Sequence, residues 1–296
     1  MIFFRKKIVS LFFISFCFSF LSFSAKAEDG VQTQMIQASN WEQTQGGRVR
    51  VVLSNDMLPL KDESQLDTKK QTSTQQEPLV VYKGVIEVEL DNGWKTYWRN
   101  PGPSGMAPSF HFTQDVRYKL FFPAPTLIES QDDWSFGYYG RVLIPFEVAM
   151  SSSASELSGA LTIGLCKTIC MPIDVNFSFG LRQQAPNTNN VELENIFKQA
   201  SAEMPKLASD DFKVTNIIEN DNVLLVTLHH PMQDNAPELF VDGGVTELGI
   251  AKVKEQKADE TVYQVPIIYR SSRWDKTVFY TAKTAHEAIS GEAHLN

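Results

Sequence analysis

From position 78 onward, apolar and polar side chains alternate along the chain. Residues 79–82 and 85–90 repeat with period two, and Asp91-Asn92-Gly93 supplies a turn after them. Further short strands are predicted over 109–112, 118–122, 141–149, 159–165 and 175–181. Pro101-Gly102, Pro123, Pro125 and Gly137 punctuate the intervals. Upstream, residues 48–53 (RVRVVL) alternate in part and read as one more strand, and 28–48 are polar with one short strand region beginning near Trp41. Many short strands with few helical stretches predict an all-β fold, an antiparallel sandwich over 79–183.

The period changes once. Between 191 and 207 the apolar positions are 193, 196, 197, 200 and 204, the spacing of one amphipathic helix. Strand-like runs then return at 212–218, 223–229, 239–241, 262–269 and 277–282, predicting a second, smaller β-sandwich-like domain over 211–296 that ends in a polar tail. The expected organisation is a first domain at 28–183 and a linker with its helix at 184–210, opened by the polar run 184–192 (QAPNTNNVE). Residues 61–77 (KDESQLDTKKQTSTQQE) are nearly free of apolar side chains and read as a long loop or insertion within the first domain.

The N-terminus has a different grammar. Arg5-Lys6-Lys7 precedes an apolar run from Ile8 to Phe23, and Ala25-Lys26-Ala27 places small residues around a cleavage point. These are the parts of a secretory signal peptide, with cleavage expected after about Ala27. The apolar run falls short of the roughly 20 residues that span a bilayer. An exported, periplasmic product with no stable membrane span is the expectation.

Charge narrows the function classes. The 296 residues carry a formal net charge of −8. Four of the 27 basic residues lie in the leader, which has no acid; the remaining 23 face 35 acidic residues, a net −12. A nucleic-acid partner would require a basic face, and none is apparent. No Ser-His-Asp arrangement, G-x-S-x-G elbow or phosphate loop stands in the sequence, and no cofactor is implied.

Loss of the leader removes Cys17 and leaves Cys166 and Cys170 in the segment Leu165-Cys166-Lys167-Thr168-Ile169-Cys170-Met171-Pro172. With three residues between them, the two are expected not to oppose each other directly on neighbouring strands, and a tight turn or helical turn would bring them within bonding range. So small a ring restricts the unfolded chain little, by about 2 kcal/mol. A pair placed for exchange needs a partner thiol, access and a favoured thiolate, and Lys167 adjoins Cys166 as a candidate cation. Three uses remain open: a redox-active pair, a passive local disulfide, or a soft-metal site of Cys166, Cys170 and Met171 suited to Cu(I). Zinc would need a further ligand cluster, and His229-His230 reads as a solvated turn edge.

Two aromatic stretches stand out. Gly93-Trp94-Lys95-Thr96-Tyr97-Trp98-Arg99-Asn100-Pro101-Gly102 describes a strand running into a rigid turn, with Trp94 and Tyr97 able to wall a partner-binding groove or simply fill the core. Phe136-Gly137-Tyr138-Tyr139-Gly140 reads as a flexible loop whose tyrosines could lie over a reactive disulfide, or as an ordinary strand-edge pair.

In order along the chain, GWKTYWRNPGPSG (93–105), FPAP (122–125), GYYG (137–140) and CKTICMP (166–172) together resemble the N-terminal periplasmic domain of the thiol–disulfide interchange protein DsbD family, in its suppressor-of-copper-sensitivity-like branch. The resemblance covers about 48–183. It implies an immunoglobulin-like sandwich whose cysteine pair, Cys166 and Cys170, takes electrons from a thioredoxin-like protein or membrane electron carrier and passes them to oxidised periplasmic proteins. Tyr138 or Tyr139 would be the aromatic cap, and Cys170 the attacking sulfur by family position, although Lys167 argues for Cys166. Two departures accompany the match: the cysteines are closer together than in the best-known members, and Phe136-Gly137 replaces acidic residues before the cap, leaving Asp132-Asp133 as the nearest acids. The membrane and thioredoxin domains of the full-length family have no counterpart in the sequence. A non-catalytic copper-binding or copper-tolerance protein using the same cysteines is the alternative.

Overall fold

A computed structural model describes residues 35–59, 78–130, 133–182 and 191–296. The leader, the 61–77 insertion, Asp132 and most of the 184–192 linker lie outside them. The first sandwich is formed by β1 (Ile36–Ala38), β2 (Glu42–Thr44), β3 (Gly47–Pro59), β4 (Leu79–Leu90), β5 (Lys95–Tyr97), β6 (Ser109–Phe112), β7 (Arg117–Leu120), β8 (Thr126–Glu129), β9 (Trp134–Tyr139), β10 (Arg141–Ser151), β11 (Glu156–Cys166) and β12 (Cys170–Gly180). One sheet runs β1-β3-β4-β10-β7 with β2 added to β3; the other runs β12-β11-β5-β9-β8 with β6 added to β11. All of these pairings are antiparallel.

Side-chain alternation explains the packing. In β12, Ile173, Val175, Phe177 and Phe179 are buried while Pro172, Asp174, Asn176 and Ser178 face solvent. β4 is different: Val85 through Val88 are all buried. Ile86 and Val88 face the sandwich interior, whereas Val85 lies with Val52 and Leu143 under the helix α1 (Val191–Ala202), which contributes Leu193, Ile196 and Ala200. On that covered face Glu87 is held between Arg50 (2.7 Å) and Arg141 (2.6 Å).

The C-terminal part has its own core. β13 (Lys206–Leu207), β16 (Glu238–Asp242), β20 (Thr277–Lys283) and β21 (Ala288–His294) form one sheet, in the order β13-β21-β20-β16. β14 (Lys213–Asn220), β15 (Val223–His229), β17 (Glu247–Leu248), β18 (Lys252–Gln256) and β19 (Glu260–Tyr269) form the other. Leu224, Val226, Leu228, Val241, Val265, Val278 and Tyr280 are among the residues that close between them. The polar tail expected at the end is instead β21, which pairs with β20 over seven positions and buries Ile289. Sparse apolar content concealed it, since Gly291 is there to clear the Tyr280 ring.

The two sandwiches touch through the end of β5. Phe240 of β16 joins the first core, with its ring 6.3 Å from Trp98 and 5.2 Å from Phe136 in edge-to-face contacts.

Candidate functional site

β11 and β12 form a hairpin in strict register from Glu156↔Gly180 to Cys166↔Cys170. The cysteines therefore do oppose each other directly, contrary to the expectation drawn from their spacing. A three-residue loop, Lys167-Thr168-Ile169, places residues i and i+4 opposite one another, a common hairpin length. Their Cα atoms are 4.1 Å apart and a disulfide joins them. The strand framework, rather than the bond, sets this approach: ten further residue pairs precede it in the ladder.

The sulfurs differ in surroundings. Cys166 is 1% exposed, because β5 flanks it on the other side with Lys95 in register. Cys170 begins the outermost strand of its sheet and is partly exposed. The adjacent Ile169 is 76% exposed, an apolar side chain at the rim of the pair. The Tyr97 hydroxyl lies 2.9 Å from Cys170 Sγ, and the Ser104 carbonyl oxygen 3.8 Å from the same sulfur. Tyr97 is buried, and burial together with the Asp133 carboxylate pushes its phenol up to about 12. It thus remains a neutral O–H donor, suited to stabilise negative charge on Cys170.

Lys95 completes this face. Its Nζ donates to Ser135 Oγ at 2.8 Å and stands 5.5 Å from the centre of the Tyr97 ring. Burial lowers the pKa of its amine, and Asp133 opposes that shift. Lys95 was not singled out from the sequence; the detectable signal was its place in an alternating strand, two residues before Tyr97. Lys167, the cation expected beside Cys166, is exposed and its Nζ extends to within 3.8 Å of where a Cβ on Gly93 would stand.

The segment 101–108 borders the same face. Gly105 packs so closely on Tyr97 that a Cβ there would lie 2.8 Å from Cδ1 of the ring, and Met106 lies over Gly164, two residues before Cys166. Together with Ser104, these residues cover Tyr97 and flank Cys170.

The two tyrosines read as a cap fall on opposite faces of one strand. Phe136 to Tyr139 belong to β9 and are not a flexible loop. Gly137 is required because a Cβ would meet the Thr96 carbonyl oxygen at 2.1 Å, so the glycine allows close strand approach and not mobility. Tyr138 points into the core and its hydroxyl donates to the Pro123 carbonyl at 2.8 Å. Tyr139, on the opposite face, pairs with Lys95 and is 53% exposed. It is the tyrosine on the disulfide's side, with Lys95 between it and Cys166. Trp94 packs against the first core and over Gly46. Tyr97, named from the sequence as a groove wall, is the ring that reaches the disulfide.

Strand alternation also separates the soft-metal set. Met171 comes next after Cys170 on β12, faces the other way and packs on the core. Among the described residues, no group of three or more His, Cys, Asp or Glu side chains gathers in metal-binding geometry. His230 is buried, with Nδ1 2.9 Å from the Pro231 carbonyl oxygen and Nε2 2.9 Å from Thr261 Oγ1, and not solvated as expected. No helix among the described residues is long and apolar enough to cross a membrane.

Residues 57–181 match the family described as "Thiol:disulfide interchange protein DsbD, N-terminal". Among solved structures, the N-terminal periplasmic domain of ScsB from Proteus mirabilis is similar, with a TM-score of 0.66 and 21% sequence identity. The match covers 88% of this chain and 98% of that one, so both sandwiches take part in the likeness of fold. Comparison with curated protein sequences gives no match.

Proposed function

We propose that this chain, which carries a DsbD N-terminal module at residues 57–181, passes electrons between a thioredoxin-like or membrane donor and exported protein substrates through Cys166 and Cys170. The observation that carries the reading is the asymmetry of the pair: one sulfur partly open and bonded to a neutral phenol, the other sealed behind it. The similar Proteus mirabilis structure is of a periplasmic domain, which supports the same compartment for this chain.

In the reduced protein the Cys170 thiolate attacks a disulfide of the substrate. That S–S bond breaks, a mixed disulfide forms on Cys170, and one substrate sulfur leaves as a thiolate that takes a proton from solvent. Cys166, losing its proton to solvent, attacks Cys170 Sγ; the intramolecular disulfide forms and the second substrate sulfur departs as a thiolate that takes up a second proton from solvent. Two electrons and two protons have then reached the substrate. A dithiol donor of the thioredoxin-like class reverses the sequence on the oxidised pair, its own thiols becoming a disulfide. Tyr97 contributes a hydrogen bond to the attacking sulfur and the hairpin holds the resolving sulfur within reach.

The test is trapping. With Cys166→Ser, Cys170 should form a stable mixed disulfide with a thioredoxin that keeps only its attacking cysteine, that cysteine activated as an aryl disulfide, detected by mass. With Cys170→Ser the adduct should be at least tenfold less abundant. Equal trapping by both variants would overturn the assignment of roles, and no reduction of the wild-type disulfide by any dithiol at equilibrium would overturn the exchange function.

A further inference from the structure

The turn that leads from β5 to the disulfide's border is anchored outside the module that carries the cysteines. Asn100 is buried, and its side-chain amide donates to two backbone carbonyls of the C-terminal sandwich, Val241 at 2.8 Å and Leu248 at 3.0 Å. Its Oδ1 accepts from the Gly102 N–H at 3.4 Å. Next to it, the Arg99 guanidinium lies over the rings of Trp98 (4.8 Å) and Phe279 (5.5 Å) and 3.7 Å from Asp242. Asn100 therefore has every polar atom of its side chain committed, its two donors to one sandwich and its acceptor to the other.

Beyond Asn100 the chain has little slack. Gly102 takes φ +84° with a built Cβ only 2.5 Å from the Trp134 carbonyl oxygen, so its position is fixed against β9. The Gly105 N–H bonds back to the Gly102 carbonyl at 3.2 Å, closing a turn. Ser104, Gly105 and Met106 then meet Cys170, Tyr97 and Gly164 in that order. A continuous set of contacts joins Val241 and Leu248 to the border of the disulfide.

We propose that the C-terminal sandwich is part of the redox site: through Asn100 it fixes the 101–108 segment beside Cys170 and so governs how readily a thiol reaches that sulfur. Asn100 is a positioning residue in this scheme, acting through the segment. The functional meaning rests on the exchange function proposed above, whereas the access effect itself does not depend on any protein partner. Access alters the rate of thiol–disulfide exchange in both directions and leaves the equilibrium between the two forms unchanged.

The experiment uses the full mature chain and dithiothreitol as the probe. Asn100→Asp keeps the oxygen that accepts from Gly102 but turns a carboxylate towards the two carbonyls. Asn100→Ser is the milder variant, too short to reach them while still suited to a turn. Reduction of the Cys166–Cys170 disulfide should be about threefold faster or more in either folded variant. Reoxidation should accelerate by the same factor, and the equilibrium constant against glutathione should not move. Should Asn100→Asp fail to fold, Asn100→Ser decides. Wild-type rates in a folded variant would overturn the proposal, as would a changed equilibrium constant, which would mean that the thiols themselves had been altered. Failure of the wild type to exchange with a thioredoxin would remove the exchange reading while leaving the dithiothreitol result to judge this one.

Discussion

The hydroxyl of Tyr97 and the sulfur of Cys170 lie 2.9 Å apart, on strands separated in the sheet by β11. Tyr97 belongs to β5 and Cys170 to β12, so the contact exists only because the hairpin loop turns the second cysteine back over its partner. The arrangement puts a proton donor on the sulfur that a partner can reach. Replacing Tyr97 with Phe removes the donor and keeps the ring. A hydrogen bond to a charged group contributes about 1.5–3 kcal/mol, so the Cys170 thiol should titrate about one unit higher or more in the variant. The pH dependence of iodoacetamide alkylation in a Cys166→Ser background reads this directly. An unchanged alkylation profile would mean that the hydroxyl does nothing for the thiolate.

The same tyrosine predicts an alkaline loss of stability. Its phenol is raised from 10.0 to about 12, first by burial and then by Asp133. The unfolded chain releases this proton above its ordinary value while the folded chain retains it. The contribution is therefore complete below pH 10 and disappears as pH rises through about 12. Urea unfolding between pH 9 and about 11 should show a stability decline that is shallower in Tyr97→Phe. Parallel declines in the two proteins would contradict the assignment to Tyr97.

Strand content was legible where one face was solvated. Residues 223–229 and 109–112 stand as their alternation predicts, and the helix spacing from 193 to 200 is realised in α1. The cysteine pair was legible as chemistry but its geometry was not, since only the register of the hairpin shows that a three-residue loop brings residues i and i+4 face to face. The Phe136–Gly140 stretch left two readings open because glycine permits two opposite things, a mobile loop or a tight strand contact, and Gly137 serves the second. Lys95 and Asn100 were invisible as site residues because their partners lie 40 and 141 to 148 positions away, whereas Asp133 was noted only as an acid near the tyrosines.

Gly137 offers a direct check on that placement. An added methyl would meet the Thr96 carbonyl oxygen at 2.1 Å, and Thr96 sits between Lys95 and Tyr97. Gly137→Ala should push β9 from β5 and cost about 1–3 kcal/mol, as overpacking generally does. It should also displace Tyr97 and slow thiolate formation at Cys170. Were the stretch a free loop, the substitution would change neither the melting temperature nor the alkylation rate.

Glu87 separates stability from exchange. Its carboxylate is almost fully enclosed and lies 2.7 Å from Arg50 and 2.6 Å from Arg141, with Arg50 continuing to Glu192 of the helix at 3.1 Å. All of this is on the helix-covered sheet, and the cysteines are in the other sheet. Removing one member of a buried ion pair leaves its partners' charge uncompensated and typically costs about 3–5 kcal/mol. Glu87→Ala should therefore lose about that much in urea unfolding, with Arg50 the more affected partner because it is the less exposed of the two arginines. Under conditions where the variant is still folded, its dithiothreitol reduction rate should equal that of the wild type. A slower or faster rate would show that the helix-covered sheet communicates with the disulfide, which the packing of the two sheets gives no reason to expect.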